Sequence, residues 1–288
     1  MLPSKFEYHR AATLDEALSL LATYTDEAKV LAGGQSLIPL MKLRFASPAH
    51  LVDVNHVNGL DGIEERDGSL RIGALVRHNV LADSSIIARY PTIASAAPQI
   101  ADPLVRNLGT IGGSLAHADP TGDLGSVMLA LGASVVLKSS SGEREVPISD
   151  FLVDTFTTSI QPTEILTEIR VPAAVPRSGG TYMKLERKVG DFATVGVALA
   201  LTLSNGSIAR AGIAMTGVGL KNLQATDAEA SLVGAAPSDE AFAEAGRLAA
   251  AASNPVTDVR GPAEYKRHIV EVYVQRGLAR ALQMANAA

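Results

Sequence analysis

Two runs of the chain set paired glycines and a serine among apolar residues: Leu31-Ala32-Gly33-Gly34-Gln35-Ser36-Leu37 and Thr110-Ile111-Gly112-Gly113-Ser114. Glycine has no Cβ, so its backbone reaches positive φ and lets amide N–H groups approach an anion, while a neighbouring hydroxyl donates a further hydrogen bond. One such run is adequately explained as a strand-to-helix turn. Two together fit a long diphosphate ligand gripped from two sides. Neither run closes in Gly-Lys-Ser/Thr or spells G-x-G-x-x-G, and Gly217-Val218-Gly219 lacks the third glycine, so P-loop and Rossmann readings are poorly supported.

Acidic and basic residues near the second run carry two readings each. In Asp119-Pro120-Thr121-Gly122-Asp123 a carboxylate can accept bonds from ribose hydroxyls, or Asp123 can cap a helix. Lys184 alternates onto the strand face opposite Met183, where it can reach a ligand, although the following Glu186-Arg187-Lys188 also fits a solvated strand end. His117 and Asp119 are two metal-type donors without a third, and none of the six histidines forms H-x-x-x-H or H-E-x-x-H. No G-x-S-x-G elbow is present, so Ser36 and Ser114 read as donors to a ligand rather than nucleophiles. Asn205-Gly206-Ser207 fits a glycosylation sequon but is explained by the type I′ turn that Asn-Gly prefers.

Positioning these runs calls for three successive segments, 1–55, 56–176 and 177–288. In the first, Thr13 and Glu16 resemble a capping box, Leu14, Ala17, Leu18 and Leu21 line one helical face, and Lys29-Val30-Leu31-Ala32 is a short strand feeding the first glycines. Leu51-Val52-Asp53-Val54 is a second strand. The middle segment opens on a hairpin over 62–73 with an Asp67-Gly68 turn, continues through helical stretches at 79–83 and 91–101, passes the second glycine run as a loop, and enters a helix over 123–131 and a strand from Ala133 to Lys138. Pro172, Pro176 and the pair Gly179-Gly180 mark the last boundary. Beyond it the pattern predicts a strand over 182–188, a hairpin of 198–203 and 208–215 about Asn205-Gly206, and two closing helices, over 238–252 and from Pro262 onward.

Composition narrows the function. With 25 basic and 30 acidic residues in 288, a net charge of −5 and no long basic run, nucleic acid is not the expected partner. No apolar stretch reaches the roughly 20 residues that span a bilayer, and the N-terminus lacks a signal peptide's basic start and apolar core, so the expected compartment is the cytoplasm. Zero cysteines exclude disulfides and cysteine-held iron–sulfur clusters in this chain.

The segments AGGQSLIPLMKLR, TIGGSLAHADPTGD, ILTEIRVP and YMKLERKVGDFA, in this order, resemble the FAD-binding medium subunits of the molybdenum hydroxylase (xanthine dehydrogenase) family, nearly end to end. Chain length, the GDFA segment and the ending RGPAEYKRHIVEVYVQRGLARAL are most similar to the aerobic carbon monoxide dehydrogenase branch. The resemblance implies an α+β fold, with a two-part FAD-binding α/β region of the PCMH type followed by a C-terminal domain of a small antiparallel sheet and helices. It implies that Ala32, Gly33, Gly34, Gln35, Ser36 and Leu37, with Thr110, Ile111, Gly112, Gly113 and Ser114, hold the pyrophosphate. Asp123 would take the sugar or adenine end, Ile100, Ala101, Leu166 and Lys184 would surround the flavin, and Phe192 would lie near the isoalloxazine. Ser114 stands where many relatives carry Asn, and Gln35 where some carry His.

By the same resemblance a large subunit oxidises substrate at a molybdenum cofactor, a small subunit carries two [2Fe–2S] clusters, and FAD here passes electrons to a quinone or other carrier. The complex would be a dimer of heterotrimers, with peripheral association at the inner face of the cytoplasmic membrane. Related complexes oxidise carbon monoxide, aldehydes, purines, nicotine-like compounds or other N-heterocycles. Two other classes stay open on the residues alone. A self-sufficient flavin oxidoreductase would require a general base, for which the motifs offer no convincing candidate. A scaffold without flavin would leave the intact glycine runs unexplained.

Overall fold

The computed structural model describes residues 2–287. Its first sheet is built by β1 (Glu7–Arg10), α1 (Leu14–Tyr24), β2 (Ala28–Leu31), α2 (Leu37–Leu43) and β3 (His50–Asp53). The three strands are parallel in the order β1-β3-β2, with Leu31 level with Asp53, so the chain leaves β2 and β3 at the same end of the sheet. Thr13 caps α1 by accepting the Glu16 N–H at 3.2 Å, and the Glu16 carboxylate accepts the Ala12 N–H at 2.8 Å. The expected box is therefore displaced by one residue on its return bond. Ala17, Leu18 and Leu21 are buried against the sheet with Val52 and Val54.

A five-stranded antiparallel sheet follows, in the order β4-β5-β10-β6-β7. The strands β4 (Ile63–Arg66) and β5 (Ser69–Gly73) turn at Asp67 and Gly68, both at positive φ as a type I′ turn demands. Five helices then intervene: α3 (His78–Asp83), α4 (Pro91–Ala96), α5 (Pro103–Leu108), α6 (Ile111–His117) and α7 (Asp123–Leu131). The chain returns through β6 (Ser134–Ser139), β7 (Gly142–Pro147), α8 (Ile148–Phe151), a ribbon of β8 (Leu152–Asp154) and β9 (Thr157–Thr158), and β10 (Ile165–Pro172). The helix expected over 91–101 is α4 plus a 3₁₀ turn at Ala97–Gln99, and it stops before Ile100.

The C-terminal sheet, β11 (Ser178–Leu185), β12 (Val195–Ser204), β13 (Ser207–Thr216) and β14 (Leu223–Gln224), is antiparallel in sequential order. It is covered on both faces. Val197, Leu199, Leu201 and Leu203 of β12 bury into one core with α9 (Thr226–Leu232), α10 (Asp239–Ala252) and α11 (Ala263–Ala287), while Ala198 and Ala214 join the core of the middle helices. Such double burial explains why β12 reads as a continuous apolar run. Small residues let the flanking helices approach: a Cβ at Gly212 would lie 1.9 Å from the Ala130 carbonyl oxygen of α7.

Three expectations are corrected here. The pair Gly179-Gly180, expected as punctuation between elements, lies inside β11, the strand that opens the last segment, where α11 crosses so closely that a Cβ at Gly179 would meet the Ala281 oxygen at 2.0 Å. The strand expected over 182–188 accordingly starts at Ser178 and ends at Leu185. A third closing helix, α9, precedes the two that were expected, because its seven residues are too few for a strong periodic signal. Among the described residues no helix is long and apolar enough to cross a membrane.

Candidate functional site

The first glycine run meets the chain just ahead of the second. A Cβ added to Gly33 would lie 2.3 Å from the Leu108 oxygen and 2.8 Å from the Gly109 Cα, so only glycine lets the backbones touch there. The contact is clamped from outside both runs. Asp53, at the end of β3, accepts the N–H of Asn55, whose side-chain amide donates to the Ala32 carbonyl at 2.8 Å. Arg77 donates to Asn55 Oδ1 at 2.6 Å and to the Leu108 carbonyl. Asn55 and Arg77 therefore tie the end of β2 to the end of α5. Sequence reasoning missed both, since no local motif connects residues that far apart along the chain.

The runs differ in what their amides do. The first is an open turn between β2 and α2, with Gly34 at φ +73°; among the described residues the N–H groups of Gly33, Gly34, Gln35 and Ser36 donate to no protein acceptor. Buried or ligand-facing amides are rarely left so in a native protein, which makes this turn a ready anion cradle. The second run, expected as a loop, is the first turn of α6. Thr110 caps it, accepting the Gly113 N–H on its hydroxyl at 3.1 Å and the Ser114 N–H on its carbonyl at 3.0 Å, while Ile111 donates to Val76 and Gly112 to Ala74. Gly112 makes room for protein: a Cβ there would meet that of Ala74 at 2.5 Å. What the second run leaves unpartnered among the described residues is the Thr110 N–H and the Ser114 hydroxyl; Ser36 leaves its own hydroxyl likewise.

A second group lies beyond α5. Ala101 sits at φ +46°, and the carbonyls of Ile100 and Ala101 both accept from the Arg106 guanidinium, at 2.8 and 2.9 Å. Lys184, almost wholly buried, donates to the Gln99 carbonyl at 2.9 Å and to Asp123 at 3.0 Å; the Tyr182 hydroxyl donates to the other Asp123 oxygen at 2.6 Å. Asp123 is the first residue of α7 and makes no capping bond, which corrects the capping reading. Burial pushes its carboxyl above the usual range, against the opposing pull of the Lys184 ammonium and the Tyr182 hydroxyl. The same burial, reinforced by Asp123, raises the Tyr182 hydroxyl well above its ordinary value.

The remaining expected residues border these two groups. Gly190, at φ +84°, packs on the Ala101 carbonyl, with a Cβ there 2.9 Å away. Two residues on, Phe192 is 54% exposed, its N–H held by Asp191, which Arg187 and Arg260 also bind. Leu166 sits apart from the polar groups, buried in β10 beside the register shift at Thr167, in one core with Ile111 and Leu115 of α6. The sites thus form a strip: the turn 33–36, the start of α6, the strap 99–101, the Asp123–Lys184 pair and the exposed Phe192.

This strip fits a dinucleotide. Free amides and two unpartnered hydroxyls suit a diphosphate, and the exposed aromatic with its neighbouring backbone strap suits a flat ring. Two family profiles match the chain: an FAD-binding domain in molybdopterin dehydrogenase over residues 4–174, and a CO dehydrogenase flavoprotein C-terminal domain over residues 180–281. Among curated relatives, the carbon monoxide dehydrogenase medium chain of Hydrogenophaga pseudoflava is 42% identical over 96% of this chain and 97% of its own. The 6-hydroxypseudooxynicotine dehydrogenase complex subunit alpha of Paenarthrobacter nicotinovorans is 41% identical over 99% and 97%. A solved structure of carbon monoxide dehydrogenase from Hydrogenophaga pseudoflava superposes with a TM-score of 0.95 at 44% identity, covering 98% of this chain and 99% of that one. The chain belongs to the molybdenum hydroxylase family as an FAD-binding medium subunit, the flavoprotein part of a multi-subunit oxidoreductase.

Proposed function

We propose that this chain relays electrons in an aerobic carbon monoxide dehydrogenase, receiving them from two [2Fe–2S] clusters on a small subunit and passing them to a quinone or another carrier. Oxidation of carbon monoxide with water to carbon dioxide belongs, on this reading, to the molybdenum cofactor of a large subunit, in a dimer of heterotrimers that works in the cytoplasm or at the inner face of its membrane. The observation that carries the reading is the end-to-end likeness to a carbon monoxide dehydrogenase medium chain, in sequence and in fold. The absence of any cysteine supports the division of labour, because cysteine thiolates are what hold such clusters.

When bound, FAD supplies the exchange between one-electron and two-electron transfer. The chain's residues bind and orient it, with segments 1–55 and 56–176 on either side and 177–288 supplying Lys184 and Phe192. The turn of Ala32, Gly33, Gly34, Gln35 and Ser36, leading into Leu37, offers backbone N–H groups to the diphosphate, and Ser114 adds a hydroxyl from α6. Ile111 and Gly112 hold α6 against Val76 and Ala74, Thr110 caps it at Gly113, and together they fix where Ser114 points. Asp123 takes the sugar end, because a carboxylate oxygen has two lone pairs and the bonds from Tyr182 and Lys184 occupy one on each. Ile100, Ala101 and Leu166 border the ring, and the exposed Phe192 covers its edge.

The test is anaerobic. The chain is produced with its partner subunits, and carbon monoxide alone is added while visible flavin absorbance is followed. Bleaching of the flavin supports the proposal; a complex whose flavin stays oxidised under carbon monoxide overturns it. A second reading has its own support, since the 6-hydroxypseudooxynicotine dehydrogenase subunit is 41% identical over 99% of the chain. Bleaching by 6-hydroxypseudooxynicotine and not by carbon monoxide would establish that alternative.

A further inference from the structure

On the other end of the first sheet the parallel register sets Glu7 of β1 level with His50 of β3. His9, two residues along β1, shares the face of Glu7, because side chains alternate with period two. His9 Nε2 and His50 Nδ1 lie 3.0 Å apart, and His50 Nδ1 lies 3.6 Å from Glu7 Oε2. All three donor atoms fall within 4.8 Å of one another. Tyr24 at the end of α1 holds the imidazoles: its ring stacks on His50 at 3.7 Å between centroids and 14° between planes, and on His9 at 5.1 Å. No residue of this cluster takes part in the strip that binds FAD, and His50 pairs with Ala28, at the end of β2 away from the glycine turn.

We propose that Glu7, His9 and His50 bind a divalent cation of the zinc class, with water in the fourth position. Zinc takes imidazole and carboxylate donors at about 2.0–2.2 Å, so two tetrahedral ligands stand about 3.3 Å from each other. Two of the three separations, 3.0 and 3.6 Å, bracket that edge, and the third, between His9 and Glu7, lies within 4.8 Å and closes by rotation of the exposed Glu7 side chain without movement of the sheet. Two histidines and a carboxylate are a borderline donor set, suited to zinc, nickel, cobalt or copper rather than to magnesium or calcium. Glu7 and His9 come from the edge strand and His50 from the central one, so the ion would rivet β1 to β3. Chain spacing gives no hint of the site, since His9 and His50 are brought together only by strand pairing.

The probe is Zn²⁺ alone, added to the full chain carrying no histidine tag and stripped beforehand with a chelator. Equilibrium dialysis is expected to give one zinc per chain, with a rise in thermal midpoint as the folded state gains a ligand. Glu7→Gln and His9→Gln, chosen because both side chains reach solvent, are each expected to weaken zinc binding by at least about tenfold while FAD content stays at the parent's level. Zinc that binds both variants as tightly as the parent, or a parent that takes up no stoichiometric zinc, overturns the proposal and leaves the two imidazoles as a hydrogen-bonded pair.

Discussion

Gly33-Gly34 and Gly112-Gly113 look alike in sequence, and Gly33 and Gly112 both let another backbone approach, yet the two runs use their amides differently. The first pair sits in an open turn where Gly34 needs a left-handed backbone and, among the described residues, the amides face no protein acceptor. The second pair lies inside a helix, at a cost of roughly 1 kcal/mol per glycine relative to alanine, with every amide from Ile111 to Ser114 bonded to protein. Gly112 is kept because α6 packs against Ala74 without room for a side chain, whereas a Cβ at Gly113 would meet only the capping hydroxyl of Thr110. The lesson is that a glycine pair beside a serine signals close approach, and the sequence does not say whether ligand or protein is what approaches.

The sharpest way to break this contrast is Gly112→Val. Forcing a branched side chain against the Ala74 backbone should cost about 3 kcal/mol or more of folding stability, so urea midpoint and FAD content should fall together. Normal stability with FAD lost would mean that the second run serves the ligand directly, as the first does.

Next in size is a pH effect confined to the second run. His78 is buried against Gly109, and burial, with Arg106 and Arg77 alongside, pushes its imidazole down to about 4. The unfolded chain protonates it near its ordinary 6.5, so this contribution is complete above pH 6.5 and is lost as pH falls through about 4. The loss should approach about 3 kcal/mol at the acid end. Urea unfolding at pH 7 and pH 4.5 should show a steeper acid loss in the parent than in His78→Leu; equal slopes would remove His78 from the account.

Arg77→Ala tests the clamp between the runs. Losing its bonds to Asn55 and Leu108 should weaken FAD binding by about tenfold, roughly one charged hydrogen bond's worth, with little change in urea midpoint because the guanidinium is only half-buried. A variant that keeps parental flavin affinity would show that Gly33 and Leu108 hold together without help. The smallest expected change is in Ser36→Ala and Ser114→Ala, whose hydroxyls have no partner among the described residues. Each should lower FAD affinity about fivefold and leave stability alone, as a net hydrogen bond of about 1 kcal/mol requires. Loss of stability in Ser114→Ala would point to a bond within the protein instead.

The hairpin of β12 and β13 about Asn205-Gly206, the Asp67-Gly68 turn and the Thr13 cap were legible because they are local: each depends on neighbours within a few residues. Composition also settled the missing cysteines and, with them, where iron–sulfur chemistry cannot be. The family motifs pointed to the turn 32–37, the start of α6, Asp123 and Lys184. Only tertiary packing decided that the second run is a capped helix, that Gly179-Gly180 lies within a strand, and that Asp123 meets Tyr182 and Lys184 rather than capping α7. It alone placed Arg77 beside Leu108 and His9 beside His50. These depend on strand register and helix approach, which are set by burying apolar surface between segments far apart in the chain, and no window of sequence contains both halves of such a contact.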